Sequence, residues 1–212
     1  MYIPEHFRET DPAEIAAIME GAPLAVVVYQ GPDGLAAHHL PLMAGPDGRL
    51  MGHIALANDM HRELADGAEV LVILRGVDGY ISPNSYPSKR DHHRHVPTWN
   101  YQAVHITANV AFVHDTPSKH RAVALLTRLH ERQVNPDAPW KMADAPPDYV
   151  ADMLGKIVAL TLTPTRVLAK SKLSQNRDAP DAQGAVDDLA QRDQGALAAK
   201  MQAKLQARPS GG

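Results

Sequence analysis

The sequence predicts a mainly β protein with flanking helices, of the α+β class. Its clearest strand is the β-branched run LAVVVYQ at 24–30. Two GPDG turns follow at 31–34 and 45–48, where proline presets φ, aspartate bonds locally and glycine accepts positive φ. Such turns favour antiparallel hairpins, and an antiparallel sheet must close or pack to hide its edges. A small barrel decorated by helices meets that requirement.

We expect six or seven strands. The run at 24–30 is continuous and apolar, which predicts burial on both faces, and with the next two strands it would form a three-stranded antiparallel meander. The remaining strands, in chain order, are expected at 35–43, 49–56, 70–74, 79–82, 104–113 and 157–168.

Helices are predicted at both ends of the chain and between strands. In the first helix, Asp11 caps, Pro12 takes the first helical position and Gly21 ends the helix. Further helices are expected at 61–65, from Thr116 to Gln133, from Pro146, and from Gln183 with an interruption near Gly195. The segment 84–97 should be a long surface loop, and 208–212 a disordered tail. We divide the chain into a main domain, 1–178, and a C-terminal helical extension with its tail, 179–212.

Composition excludes several functions. The 212 residues carry a formal charge of −3, which gives no overall attraction for nucleic acid or anionic membranes. Without cysteine there is no disulfide, thiolate metal site or cysteine nucleophile. No signal peptide and no apolar run of membrane-spanning length are present, so we expect a cytoplasmic protein that does not enter a membrane.

The chain has twelve histidines, and some of them cluster. The run DHHRH at 91–95 could bind a metal, but consecutive loop histidines seldom converge on one ion, so we predict no metal site. His38 and His39 point to opposite faces of one predicted strand. His53 lies on the next strand, and a close histidine pair there would make a polar patch that suits a ligand.

Two further segments carry side chains suited to ligand binding. Trp99 and Asn100 lie just before a strand, where they could form a wall for a flat aromatic ligand or simply anchor a loop. The segment KSKLSQNR at 170–177 concentrates three cations with polar side chains. Such a set suits an anionic group such as phosphate, although a solvated charged surface has the same composition.

Taken together, these segments resemble the PaiB family of FMN-binding proteins, often labelled negative transcriptional regulators, over about residues 1–205. The matching segments are MYIPEHF at 1–7, HLPL at 39–42, GHIA at 52–55 with Ala57-Asn58, YISP at 80–83 with YPSK at 86–89, VPTWNY at 96–101, Val104-His105 and KLSQNR at 172–177.

The resemblance implies an FMN-binding split β-barrel, similar to pyridoxamine-phosphate oxidase and flavin reductases. It implies a homodimer that holds FMN without a covalent bond at the subunit interface, beside a small-molecule ligand or substrate. By position in that architecture, the residues expected near FMN are His38, His39, Leu40 and Pro41 along the ring and ribityl chain, His53, Ile54 and Asn58 near the phosphate end, and Trp99, Asn100, Lys172, Gln175 and Arg177 closing the site.

The chain departs from the family pattern near the expected phosphate. Leu56 stands where the family often has a basic residue, and Asp59 adds a negative charge. These changes should weaken phosphate binding unless Arg62 or Lys89 compensates.

Three functions follow as hypotheses. The first is an FMN-dependent oxidoreductase acting on a small molecule, for which no catalytic residue is named. The second is a transcriptional regulator; direct DNA binding is doubtful because the sequence has no helix-turn-helix or basic stripe, so regulation would involve a small molecule or partner protein. The third is haem binding or breakdown, suggested by the histidine content.

Overall fold

A computed structural model of the protein describes residues 1–208. Its strands are β1 (Arg8–Glu9), β2 (Leu24–Gly31), β3 (Gly34–Pro41), β4 (Met43–Ala44), β5 (Leu50–Ala55), β6 (Glu69–Ile81), β7 (Thr98–Val113) and β8 (Ile157–Lys172). Its α-helices are α1 (Pro12–Gly21), α2 (Met60–Glu63), α3 (Lys89–His92), α4 (Thr116–Val134), α5 (Pro147–Gly155), α6 (Ala179–Gln191) and α7 (Gly195–Gln206).

The strands form one sheet whose order requires it to curl. Seven strands follow the order β3-β2-β6-β7-β8-β5-β4, and β1 pairs with β8. The strands at the two ends of this order, β3 and β4, are separated in the chain by Leu42 alone. The two ends of the sheet must therefore meet, which is the closure of a barrel. The predicted fold class, mainly β with flanking helices, is confirmed.

The chain divides into two compact units. The barrel unit comprises 22–74 and 105–167, and the terminal unit comprises 1–21, 75–104 and the chain from 168 onward. The terminal unit has its own apolar cluster around Ile81, Tyr86 and Leu173, packed with residues of α6 and α7. The sequence-based division at residue 178 stays a prediction.

The predicted three-stranded meander is wrong. β2 and β3 do form an antiparallel hairpin, but β5 pairs with β8, so that His53 lies opposite Ala159. The second GPDG turn joins β5 only to the short strand β4. At the crossing of β3 over β5, a Cβ on Gly52 would lie 2.8 Å from the Pro41 carbonyl oxygen. Gly52 therefore lets the backbones of β3 and β5 approach closely at a point where the two strands were predicted to pair by hydrogen bonds.

Two other strand predictions need correction. The strands predicted at 70–74 and 79–82 are parts of one strand, β6. Gly79, where the second strand was predicted to begin, lies inside β6. A Cβ there would lie 2.7 Å from the Leu197 side chain, so this glycine allows close packing. Moreover, β2 is not buried on both faces: its burial alternates, because only one of its faces lies in the core.

The helix predictions are largely confirmed. Asp11 accepts a hydrogen bond from Ala13 N at 2.9 Å in the first turn of α1, and α6 and α7 are interrupted before Gly195. None of the helices within residues 1–208 is long and apolar enough to cross a membrane.

The segment 84–97 is more ordered than a plain surface loop. It contains a 3-10 turn that starts at Pro83, the short helix α3, and Tyr86, which is buried. The predicted tail falls largely on 209–212, outside the described residues. Arg208 itself is held, because its guanidinium donates to the carbonyl oxygens of Arg177 and Ser174 at 2.8 and 2.9 Å.

Candidate functional site

The barrel unit contains a continuous chain of hydrogen bonds centred on His38. Asn58 Nδ2 lies 3.3 Å from His38 Nδ1, and Tyr29 Oη lies 3.2 Å from His38 Nε2. Tyr29 in turn donates to Glu63 Oε2 at 2.6 Å. Sequence analysis named His38 and Asn58, and the structure brings these two together.

Bonds from Asn58 and Tyr29 to other residues fix the direction of donation along the hydrogen bonds of His38. Asn58 Oδ1 accepts a bond from Met60 N at 2.9 Å, which leaves Asn58 Nδ2 to donate to His38 Nδ1. His38 then carries its proton on Nε2 and donates it to Tyr29 Oη, whose own proton goes to Glu63. Burial, together with the hydrogen bond to Glu63, raises the pKa of Tyr29 to about 12. These hydrogen bonds therefore hold the His38 ring with one proton, on Nε2, beside the protonated phenol of Tyr29.

The hydrogen-bonded residues around His38 form one wall of an open groove of about 460 Å³. The groove is acidic, since Asp33, Asp59 and Glu63 line it. Arg62 pairs with Asp59 at 2.6 Å, so the proposed compensating cation is used within the protein. A phosphate dianion is disfavoured in such surroundings, whereas a neutral or cationic polar group fits them.

The second predicted histidine lies in a different environment. His53 belongs to an apolar cavity with Tyr149 and Met153, and its Nδ1 is buried and has no hydrogen-bond partner among residues 1–208. Burial lowers the pKa of His53 below 6.5. The expected pair of histidines on neighbouring strands is wrong, because β3 and β5 are not hydrogen-bonded neighbours.

The buried His53 predicts a pH dependence of stability. Because its folded pKa is lowered, the unfolded chain binds more protons just below pH 6.5, so the free energy of unfolding should fall as the pH drops from about 7 towards the folded pKa. Urea denaturation at about pH 7.5, 6.5 and 5.5 measures this loss. His53→Phe should reduce it, leaving the part that His105 contributes, whose pKa burial also lowers. An unchanged pH profile in His53→Phe would contradict the assignment.

The other residues of the barrel unit that were predicted to lie near FMN differ in which face of their strand they occupy. His39 and Pro41 are exposed on one face of β3, and Leu40 is buried on the other. Ile54 is a core residue of β5. Leu40 and Ile54 therefore act in packing, and only His39 and Pro41 offer atoms to solvent or a partner.

A second group, in the terminal unit, combines cations with aromatic rings. Lys172 Nζ donates to the Trp99 carbonyl oxygen at 2.7 Å and also to Thr98 Oγ1. Lys170 Nζ lies 4.9 Å from the centre of the Tyr101 ring and donates to Tyr101 Oη at 2.8 Å. We call Lys170, Lys172, Arg177, Trp99 and Tyr101 the cation–aromatic cluster.

The two lysines of the cation–aromatic cluster form no ion pair within the described residues, whereas Arg177 lies near the carboxylate of Asp181. Within residues 1–208, no carboxylate oxygen lies within 4 Å of a Lys170, Lys172 or Arg177 side-chain nitrogen. Burial lowers the pKa of Lys172, and the charges of Lys170 and Arg177 lower it further. An anion placed here would relieve this repulsion.

Three predicted ligands in the terminal unit bond mainly to the protein. Asn100 is buried and donates to Ser174 Oγ at 2.8 Å, and its Oδ1 has no partner in the part of the chain that the structure describes. The Gln175 side chain bridges the backbone of its own turn, between Leu173 N and Ser171 O. Lys89 donates to Asn84 Oδ1.

Arg177 joins a buried polar cluster. Its Nη1 lies 3.2 Å from His95 Nδ1, and His95 Nε2 lies 2.8 Å from Ser88 Oγ. Ser88 Oγ donates to Asp181 Oδ2 at 2.6 Å, and Ser88 N donates to Asp181 Oδ1 at 3.1 Å. We call Ser88, His95, Arg177 and Asp181 the Ser88 network.

The order of these bonds excludes a serine nucleophile activated by this histidine. Arg177 can only donate, so His95 accepts at Nδ1 and carries its proton on Nε2. That nitrogen therefore donates to Ser88 and cannot take its proton, as a general base must. The Ser88 network is structural, and it fixes the first turn of α6 to the segment that contains α3.

Sequence analysis missed Tyr29, Glu63 and Lys170 as site residues. Tyr29 belongs to an apolar run and Glu63 to a short helix, so no local pattern links them to His38. Only the tertiary fold brings together their side chains. Lys170 was counted among the three cations of 170–177, but its aromatic partners come from β7 and the N-terminal segment.

A closed small barrel with these polar surfaces has the architecture of the flavin-binding split barrels. Residues 1–166 match the family described as "Putative FMN-binding domain". The chain belongs to this FMN-binding family, and its cofactor is FMN. The resemblance to the PaiB family is thereby confirmed.

The chain is similar in sequence to one known protein and in fold to others. The chain is 29% identical over 192 residues to the protease synthase and sporulation protein PAI 2 of Bacillus subtilis, covering 89% of each chain. The fold is similar to that of the FAD- and haem-binding protein of Mycobacterium smegmatis, with a TM-score of 0.58, 17% identity, and coverage of 82% of this chain and 78% of that one. It is also similar to a flavocytochrome of Azotobacter vinelandii, with a TM-score of 0.54, 15% identity, and coverage of 80% and 72%.

Proposed function

We propose that the protein is an FMN-dependent oxidoreductase that acts on a small molecule, as a cytoplasmic homodimer with the flavin at the subunit interface. Bound FMN supplies hydride and single-electron transfer, and the protein supplies orientation and shielding. The observation that carries the proposal is the cation–aromatic cluster. It combines two lysines that form no ion pair within residues 1–208 with an exposed ring, the two features that a phosphorylated flat aromatic cofactor requires.

The phosphate is assigned to the cations. Lys172 is half-buried and already aligned by Thr98 and the Trp99 carbonyl, so little side-chain entropy is lost when it binds an anion. Repulsion from Lys170 and Arg177 would be relieved at the same time. The acidic groove beside His38 offers no comparable partner, which argues against placing the phosphate near Asn58 and Asp59.

The aromatic part of the cofactor is assigned to Trp99. This side chain is 54% exposed and meets Tyr80 edge-on, with ring centres 6.3 Å apart. An exposed tryptophan next to a cation can stack on a planar ring while the cation holds its charged end.

The His38 chain is assigned a proton-holding role. The neutral imidazole carries a proton on Nε2, and the Tyr29–Glu63 pair accepts from it and keeps the ring aligned. A substrate with a polar group in this groove would meet hydrogen bonds whose protons already have fixed positions between His38, Tyr29 and Glu63.

The first experiment is an absorbance spectrum of the purified protein. We expect a flavin spectrum that bleaches anaerobically on addition of NADH or NADPH and recovers when a small-molecule acceptor is added. A bound flavin that neither nicotinamide reduces would contradict the oxidoreductase and leave a binding or regulatory role.

Light scattering on the protein as it elutes from a size-exclusion column tests the homodimer, and a monomer containing FMN would contradict an interfacial site.

Replacing Lys172 by glutamine is expected to weaken FMN binding about 10- to 100-fold, because a charge-assisted hydrogen bond to phosphate contributes about 1.5–3 kcal/mol. Riboflavin, which lacks the phosphate, should bind the wild type and Lys172→Gln alike. Titration of apoprotein with each flavin, followed by quenching of flavin fluorescence, measures both affinities.

The matched control is Lys200→Gln. Lys200 lies in the same unit but is paired with Glu14 at 3.1 Å, so its loss should leave FMN affinity within about twofold. Equal weakening of FMN and riboflavin in Lys172→Gln would place the phosphate elsewhere.

A further inference from the structure

The barrel unit has two cavities that share the side chains of Trp140 and Met142. Both residues lie in the connection between α4 and α5. Glu131 holds this connection in place, because its Oε2 accepts bonds from Asn135 Nδ2 at 2.9 Å and from Trp140 N at 3.0 Å. The backbone of Trp140 is therefore fixed where its side chain contributes to both cavities, and the residue is 44% exposed.

The first cavity, of about 240 Å³, is almost wholly apolar. Side chains of α4, α5 and β8 form most of its wall, with Tyr149 and Met153 at 57% and 40% exposure. The polar groups of the wall are the Tyr149 hydroxyl, the Trp140 indole N–H and the imidazole of His53, whose pKa is lowered by burial. An apolar cavity of this size suits a ligand part of one or two rings.

The second cavity, of about 280 Å³, is also lined mainly by apolar atoms, but three of its lining residues are cations that are exposed to solvent. Arg128, Arg132 and Lys141 contribute to its wall. Within the described part of the chain, no carboxylate oxygen lies within 4 Å of these three cations. The nearby carboxylates of Glu131 and Asp144 instead accept bonds from the backbone of the connection, Glu131 from Trp140 N and Asp144 from Lys141 N.

We propose that these two cavities form one binding site for an aromatic carboxylate of one or two rings. The ring lies in the apolar cavity beside Trp140, and the carboxylate faces Arg128 and Arg132. Two arginines one helical turn apart can present planar donors to a carboxylate, a geometry that lysine does not offer. The site lies wholly within the barrel unit.

Isothermal titration calorimetry of the full-length protein, as purified, tests this proposal with two probes. The probes are 2-naphthoate and its neutral counterpart, 2-naphthalenemethanol. We expect both to bind, with 2-naphthoate the tighter. In Arg128→Gln/Arg132→Gln, the affinity for 2-naphthoate should fall about tenfold and that for the alcohol should change less than about twofold, as for the loss of two partly exposed ion pairs.

Two further variants distinguish binding in these cavities from binding elsewhere on the protein. Trp140→Ala should weaken the binding of both probes, because the wall that the Trp140 ring provides is lost. The far-ultraviolet circular dichroism of this variant checks that the half-exposed position tolerates the change. Arg121→Gln removes a cation from the same helix outside both cavities and should leave both affinities unchanged. Absence of binding by the wild type, equal weakening by Arg121→Gln, or unchanged affinities in the double variant would each overturn the proposal.

Discussion

Gly184→Ala is expected to lower the free energy of unfolding by about 2–4 kcal/mol, although alanine normally stabilises a helix relative to glycine by about 1 kcal/mol. Gly184 lies inside α6, and a Cβ there would lie 2.1 Å from the Ser85 carbonyl oxygen and 3.1 Å from Pro87 Cδ. Backbone cannot move aside as a flexible side chain can. The helix would have to separate from the segment that holds Tyr86, which is buried in the terminal unit's core.

Urea denaturation followed by circular dichroism measures this effect. Gly195→Ala is the matched control, because Gly195 begins α7 in the same unit and a Cβ there meets nothing within 4 Å. That variant should be neutral or slightly stabilising. If Gly184→Ala were also neutral, the close approach of α6 to Ser85 would be refuted.

Asp181→Ala is expected to lower the free energy of unfolding by about 2–4 kcal/mol, since it leaves buried donors without an acceptor. The carboxylate is 3% exposed and accepts from both the backbone and the hydroxyl of Ser88. The Ser88 hydroxyl, which accepts from His95, then has no acceptor for its own proton. The change should therefore loosen the whole Ser88 network.

The same denaturation experiment needs a control on the same helix. Asp187 is exposed and accepts only from Gln183, so Asp187→Ala should cost less than about 0.5 kcal/mol. An equally small effect at Asp181 would show that water replaces the carboxylate.

Asp181 also contributes a pH dependence whose sign can be stated. Burial alone would raise the pKa of Asp181, but its two bonds from Ser88 and the nearby His95 and Arg177 outweigh burial and lower it below 3.8. A lowered carboxyl pKa stabilises the fold above the unfolded value, and this contribution is lost as the pH falls from about 4 through the folded pKa. Asp181→Ala should abolish that part of the acid destabilisation.

The Ser88 network has a consequence for the proposed cofactor site. It fixes Arg177, which follows directly on β8 and its lysines Lys170 and Lys172. Variants of Asp181 or Gly184 that remain folded should therefore also bind FMN more weakly, with riboflavin affected less, because the loosened segment carries a cation assigned to the phosphate.

About half of the candidate site could be predicted from the sequence. The segments that carry Trp99, Lys172 and Arg177 were identified by their residue types and by the family resemblance; His38 and Asn58 were named separately, and only the structure pairs them. The structure separated His38 from His53, which lie in different cavities, and directed Asn100 and Gln175 into protein contacts. A local pattern shows which side chains are available, but not which of them the fold uses for its own packing.

What the sequence by itself determined is local. The cap at Asp11, the hairpin turn at 31–34 and the break before Gly195 follow from the conformations that a few adjacent residues allow. Only the tertiary structure decided that β5 pairs with β8, and that Gly52, Gly79 and Gly184 are points of close approach. The physical reason is distance along the chain: strand partners and glycine contacts depend on atoms contributed by remote segments, and a pattern of a few residues carries no record of them.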